Sequence, residues 1–160
     1  MGDHTLFFYG TLMSPQILHR VIHGRATPEP WQRAYLTIRP AVLPNYRRHR
    51  VRHADYPGIV AGHASSASVL GTLVTGLTEG DVYRLDLFEG DEYTKVKVKV
   101  KGTATAPDGA EAEAEAEAEV EALTYVWTAG RERLEDAEWD FEAFKRDKMA
   151  WWVEADERDW

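Results

Sequence analysis

Glu89, Asp91 and Glu92 bring three carboxylates together beside Phe88 and Gly90. Two such acids can flank a scissile bond as general acid and base, the arrangement used in glycoside hydrolysis. The same residues also suit a solvated acidic turn at a helix end, so spacing alone leaves both readings open. A second candidate lies near the start, where Tyr9, Gly10, Thr11, Leu12, Met13 and Ser14 follow an aromatic run. A glycine turn there presents backbone N–H groups near a helix N-terminus, a favourable place for a carboxylate or phosphate. His19 and His23 stand at i, i+4, where one helix face can show both imidazoles to a metal. The glutamate that zinc peptidases use after the first histidine is missing, and no third ligand announces itself, so no metal site is expected.

Other chemistries leave no trace. Phosphate-loop, dinucleotide-binding and nucleophile-elbow motifs are absent, and the chain has no cysteine, which removes thiol catalysis and disulfides. Arg47, Arg48, Arg50 and Arg52, with His49 and His53, form a basic run able to hold an anionic partner. The competing reading is a strand whose arginines face solvent or pair with acidic residues later in the chain. With a net charge of −8, broad affinity for a nucleic-acid backbone is not expected.

Local pattern places these residues on elements. Leu6, Phe7, Phe8 and Tyr9 read as a buried strand stopping at Gly10. Ser14 can cap a helix with Pro15 at its first position; Ile17, Leu18, Val21 and Ile22 recur at helical spacing, and Gly24 ends it. From Pro28 to Gly76, prolines and glycines punctuate segments rich in Tyr, Val, Leu and Ile, which predicts several short strands. Thr78 and Asp81 then open a helix that Gly90 closes, leaving Glu89 at its end beside apolar residues.

The stretch from Lys95 to Glu121 alternates first Lys/Val, then Glu/Ala, around Pro107, Asp108 and Gly109. Period two means strand in the first half; the second is made of strong helix formers, but a helix would scatter its glutamates all round. An antiparallel hairpin satisfies both halves, with Lys97, Lys99 and Lys101 facing Glu119, Glu117 and Glu115, and Val96 and Val98 meeting Val120 and Ala118. This charged hairpin, about 95–126, is expected to lie peripheral to the catalytic pocket. Leu123 to Trp127 continues as an apolar strand, and Trp139, Phe141, Phe144, Met149, Trp152 and Val153 predict one amphipathic closing helix with its aromatic stripe in the core.

Size bounds the organisation. A chain of 160 residues, 44% hydrophobic, suits a single domain spanning 1–160, and strands with irregularly placed helices argue for α+β over a doubly wound sheet. No apolar run approaches the roughly 20 residues needed to span a bilayer, so a cytoplasmic protein is expected, with no membrane partner.

Four segments in order carry something more specific: Phe8-Tyr9-Gly10-Thr11-Leu12, Tyr56-Pro57-Gly58-Ile59, Gly76-Leu77-Thr78, and Leu85-Asp86-Leu87-Phe88-Glu89-Gly90-Asp91-Glu92-Tyr93. Together they resemble the γ-glutamylcyclotransferase-like family. Tyr125-Val126-Trp127 and Glu138-Trp139-Asp140-Phe141-Glu142 look especially like its plant and fungal avirulence-induced branch. Thr11 stands where the family usually has serine, which keeps the hydroxyl and adds a methyl; the Glu/Ala tract departs from the family pattern.

The resemblance implies a small mixed β-barrel with packed helices. It implies intramolecular aminolysis, in which the α-amine of a γ-glutamyl group attacks its own γ-carbonyl, giving 5-oxoproline and a free amine or amino acid without metal or cofactor. Glu89 matches the family's catalytic glutamate and serves as acid/base; burial near Phe88 should raise its pKa, and a bound ammonium should oppose that. The loop from Tyr9 to Ser14 grips the substrate. Tyr9 either shapes the pocket or merely ends its strand, Ser14 either binds or caps, and Tyr56 and Tyr93 are open as pocket residues. Two alternatives stand beside this reading: a catalytically silent interaction module that retains the fold, and a cyclotransferase for γ-glutamyl isopeptides or protecting groups. The amine released and the oligomeric state are not legible.

Overall fold

The computed structural model describes residues 2–24, 27–62, 68–102 and 119–154. Strand β1 (His4–Phe8) buries Leu6, Phe7 and Phe8 and pairs antiparallel with β5 (Ser68–Leu77). β5 pairs with β2 (Thr37–Pro44), β2 with β6 (Tyr93–Gly102), and β6 with β7 (Glu119–Trp127), each antiparallel. β7 returns alongside β1 in parallel, with Leu6 opposite Leu123, and closes a five-stranded barrel. The α+β mixed barrel that the resemblance implies is therefore the observed architecture. β3 (Tyr46–Arg50) and β4 (Pro57–Ala61) form a separate two-stranded sheet, so the expected short strands are present.

The two larger of three apolar clusters among the described residues carry most of the packing. Phe7, Leu43, Ile59, Val69 and Val100 belong to one, while α1 (Pro15–His23) and α3 (Glu79–Glu89) pack Ile17, Leu18, Val82 and Leu85 with Leu6 and Val74 in the other. α4 (Phe141–Asp147) and α5 (Met149–Glu154) add Phe144 and Trp152 to that second cluster, which puts the aromatic stripe in the core.

Four expectations need correction. A short helix, α2 (Pro30–Ala34), interrupts the region read as strands, because Glu29 and Gln32 form a reciprocal capping box around Pro30. The closing helix is two helices, broken at Lys148 (φ −129°, ψ −26°). The break follows from anchors at both ends: the Trp139 indole donates to the Asp55 carbonyl at 2.7 Å, and the Trp152 indole to the Asp55 carboxylate at 3.1 Å.

The hairpin exists, but in another register. Lys97 faces Leu123, Lys99 faces Glu121, Lys101 faces Glu119, and Val96, Val98 and Val100 face Thr124, Ala122 and Val120. Alternation decides which face a residue takes; it does not choose between registers differing by an even number of residues, so Lys99 and Lys101 still meet glutamates and Val98 and Val100 still meet apolar residues, while Lys97 and Val96 do not. Nor do 95–102 and 119–126 lie clear of the pocket, since β6 and β7 are barrel staves and Tyr125 of β7 lines it. The Pro107–Gly109 turn and the expected partners Glu115, Glu117 and Ala118 lie outside the described residues.

Candidate active site

The pocket loop departs from the end of β1. Tyr9 and Gly10 lead into a single 3-10 turn, Thr11–Met13, and Ser14 then caps α1 by accepting from the Ile17 N–H at 3.5 Å. A Cβ at position 10 would meet Pro57 Cδ at 2.8 Å, so glycine is what lets the turn lie against β4. The opening N–H groups of a 3-10 turn have no acceptor within it, and here they open the loop.

α3 delivers the carboxylate. Thr78 and Asp81 cap it reciprocally at 3.0 and 3.1 Å; Val82 and Leu85 anchor it, full burial of such a side chain contributing roughly 1.5–3 kcal/mol. Gly90, at φ 72°, ends the helix immediately after Glu89. This stop holds Glu89 at the wall of a cavity of about 810 Å³, shared with Tyr9, Gly10, Thr11 and Leu12.

Glu89 is electrostatically unusual. Removal from water, and secondarily the Asp86 carboxylate, push its carboxyl from 4.5 up to about 8. Four phenols surround it: Tyr9, Tyr56, Tyr93 and Tyr125 line the cavity, and all four are raised by burial first and further by Glu89's charge. Each hydroxyl is committed as a donor. Tyr9 donates to the Tyr125 carbonyl at 2.6 Å, Tyr93 to the Pro57 carbonyl at 2.7 Å, Tyr125 to Asp86 at 2.7 Å, and Tyr56 to Glu92 at 3.2 Å. Glu92 also pairs with Arg133, and Asp86 with Lys95, so each neighbouring acid has its own cation.

The structure thus brings together Tyr9, Gly10, Thr11, Leu12 and Glu89, and adds Tyr56 and Tyr93 to the wall. Tyr9 both ends its strand and shapes the cavity. Met13 is instead buried in the helical core and Ser14 serves as a cap; neither lines the cavity. Tyr125 was not foreseen: its place in an apolar strand gives no hint that it reaches a helix 39 residues away.

Among the described residues, the basic run joins acidic residues just before α4: Arg48 bonds Glu138 at 2.9 Å and Arg50 lies 3.8 Å from Glu135. His19 and His23 stack on each other at 5.2 Å, and among the described residues no group of three or more His, Cys, Asp or Glu is arranged to hold a metal. No helix among the described residues is long and apolar enough to cross a membrane.

Relatives carry the same frame. Over 152 residues the chain is 30% identical to AIG2-like protein B of Arabidopsis thaliana, covering 95% of this chain and 75% of that one. A solution structure of an Arabidopsis thaliana protein is 30% identical with a TM-score of 0.58, covering 91% of this chain and 83% of its own. A solved γ-glutamyl cyclotransferase, at 14% identity, shares the fold with a TM-score of 0.56 over 83% of this chain and 69% of its own. The family profile described as gamma-glutamyl cyclotransferase, AIG2-like, matches residues 6–141, which include the glycine loop, the four tyrosines and Glu89. With the glycine loop, Glu89 and nearly all of the barrel inside that match, the chain belongs to the AIG2-like γ-glutamyl cyclotransferase family.

Proposed function

We propose that the protein is a γ-glutamylcyclotransferase that converts a γ-glutamyl amino acid or amine to 5-oxoproline, with Glu89 as acid/base. The observation that carries this reading is the Glu89 carboxyl, raised to about 8 in the same cavity as the Gly10 turn. A base whose pKa lies near working pH can both take a proton and return it.

The substrate's α-ammonium gives a proton to the Glu89 carboxylate. The freed amine attacks the γ-carbonyl carbon, forming the ring C–N bond and placing negative charge on the carbonyl oxygen. N–H groups of the Gly10–Leu12 turn are suited to receive that oxygen or the substrate carboxylate. Glu89 returns its proton to the leaving nitrogen as the old C–N bond breaks. The ring nitrogen sheds its remaining surplus proton while the released amine becomes ammonium, so two protons leave one nitrogen and two arrive at the other.

Ring closure within one molecule already holds the reactants together, so positioning and proton transfer suffice without a metal or cofactor. The tyrosines keep the site's walls in place through their committed hydroxyls. The cytoplasm is the compartment proposed.

Incubating pure protein with γ-glutamyl amino acids, amines and ε-lysine isopeptides, and assaying 5-oxoproline, tests the reading. Release of 5-oxoproline supports it; folded protein that forms none across the panel would leave the catalytically silent module instead.

A further inference from the structure

We infer that the outer turn of α3 is the leaving-group subsite, in which Arg84 binds the α-carboxylate of a departing amino acid and Tyr83 and Leu87 hold a large apolar side chain. The inference rests on the cyclotransferase reading and names its substrate class: γ-glutamyl amino acids with aromatic or branched side chains, ahead of γ-glutamylamines.

Tyr83 and Leu87 are each 65% exposed, although both are large and apolar. Isolated exposed apolar residues are ordinary, but these two are neighbours at i, i+4 and border the cavity that holds Glu89. Arg84 borders the same cavity, and among the described residues it makes no hydrogen bond or ion pair. It is the one cation among the cavity's described lining residues; the other charged groups there are Glu89 and Glu92. The far wall is rigid, because the Trp152 ring is held by Asp55 and meets Phe88 edge-on at 6.1 Å.

Reaction geometry decides which part of the substrate faces this wall. Glu89 must reach the scissile nitrogen, and the γ-glutamyl portion belongs with the Tyr9–Leu12 turn, so the leaving portion extends along α3. Arg84 precedes Glu89 by five residues, about 7.5 Å along the helix axis. That span is comparable to hydrogen-bond reach at either end of an amino acid's short N–Cα–C unit. A carboxylate released there would otherwise face Glu89 and Glu92, whereas a guanidinium matches it in a forked pair. A simple amine has no such group, and an ε-lysine isopeptide carries its carboxylate several methylenes farther out.

The test measures kcat/KM for γ-glutamyl-phenylalanine, γ-glutamyl-glycine and γ-glutamyl-phenethylamine with the parent, Arg84→Gln and Leu87→Ala. The parent should favour phenylalanine over phenethylamine by about 10- to 100-fold, and Arg84→Gln should bring that ratio close to one. Leu87→Ala should narrow the phenylalanine-to-glycine ratio. Turnover in which Arg84→Gln keeps the parent's acid-to-amine ratio overturns the subsite while the cyclotransferase reading stands. Calorimetric titration of the same compounds separates the converse case. Carboxylate-dependent binding lost in Arg84→Gln supports the subsite even where no 5-oxoproline forms, and equal or absent binding of acid and amine overturns it. Both positions are exposed, so circular dichroism should match the parent for each variant.

Discussion

Arg48 Nη1 donates to the Tyr9 carbonyl across 2.9 Å, so a residue of the basic run holds the point from which the pocket loop departs. The same nitrogen reaches the Leu70 carbonyl at 3.2 Å, Nη2 bonds Glu138, and the guanidinium lies over the Trp139 ring at 5.6 Å. One planar fork therefore ties β1, β5 and the segment before α4 together, which a point charge cannot do.

Arg48→Met should loosen the loop and cost stability together. Two carbonyls lose a buried donor, a penalty of about 1–3 kcal/mol, read as a lower urea midpoint. KM should rise more than kcat falls, because the catalytic carboxylate is carried by α3 and not by the loop. Arg48→Lys should recover only part of each effect. A variant with unchanged midpoint and unchanged KM would show that the contact has no positioning role.

Asp86 offers a way to move the acid/base without touching it. Its charge is the second cause of Glu89's raised pKa, after burial. Asp86→Asn removes that charge and keeps an oxygen for the Tyr125 hydroxyl, so the acidic limb of the kcat/KM profile should shift to lower pH. A limb that stays in place would mean that a group other than Glu89 controls it.

The sequence made the route to Glu89 readable because local rules govern it: an aromatic strand, a glycine turn, Ser14 and Pro15, then Thr78, Asp81 and Gly90. Each is a short-range device whose partner lies within a few residues. What escaped notice depends on distance. Tyr125 meets Asp86 only because the barrel closes, and Arg48 meets Tyr9 only because β3 folds against the strand end. The β6–β7 register escaped for a different reason: repeated Lys/Val and Glu/Ala alternation fits several even shifts equally well. The split closing helix likewise depends on Asp55, some 84 residues before Trp139.

Stability should depend on pH in a direction set by Glu89. Its carboxyl is raised from 4.5 to about 8 on folding, so between those values the unfolded chain releases a proton that the native protein keeps. The native state then binds more protons, and stability falls as pH rises through this window, levelling above about 8. Glu89→Gln removes the dependence. Its unfolding free energy minus the parent's should grow from pH 4.5 to 8 by a few kcal/mol at most, since one pKa unit corresponds to about 1.4 kcal/mol and partial solvent access reduces the whole. Urea titrations at several pH values measure this difference, in which other titrating groups largely cancel. A flat difference would mean that Glu89 is not perturbed by folding.

Glu89→Gln should also abolish turnover while leaving substrate binding measurable. Glutamine keeps the size and the hydrogen-bonding capacity of the side chain but cannot take a proton from the α-ammonium or return one to the leaving nitrogen. A positioned general base contributes about 100- to 10,000-fold, so the loss should fall in that range or beyond and appear mainly in kcat. Asp91→Asn is the matched control, since Asp91 is exposed, two residues away, and outside the cavity wall. Glu92→Gln is less neutral: Glu92 holds the Tyr56 hydroxyl and Arg133, so an intermediate loss is expected there. The parent's kcat/KM should climb toward pH 8 as Glu89 ionises, then fall as the free substrate's own ammonium loses its proton. Any residual activity of Glu89→Gln should lack the first limb. If Glu89→Gln turns over γ-glutamyl substrate like the parent, with the same pH profile, proton transfer belongs to another group and the mechanism fails although the barrel and its pocket remain.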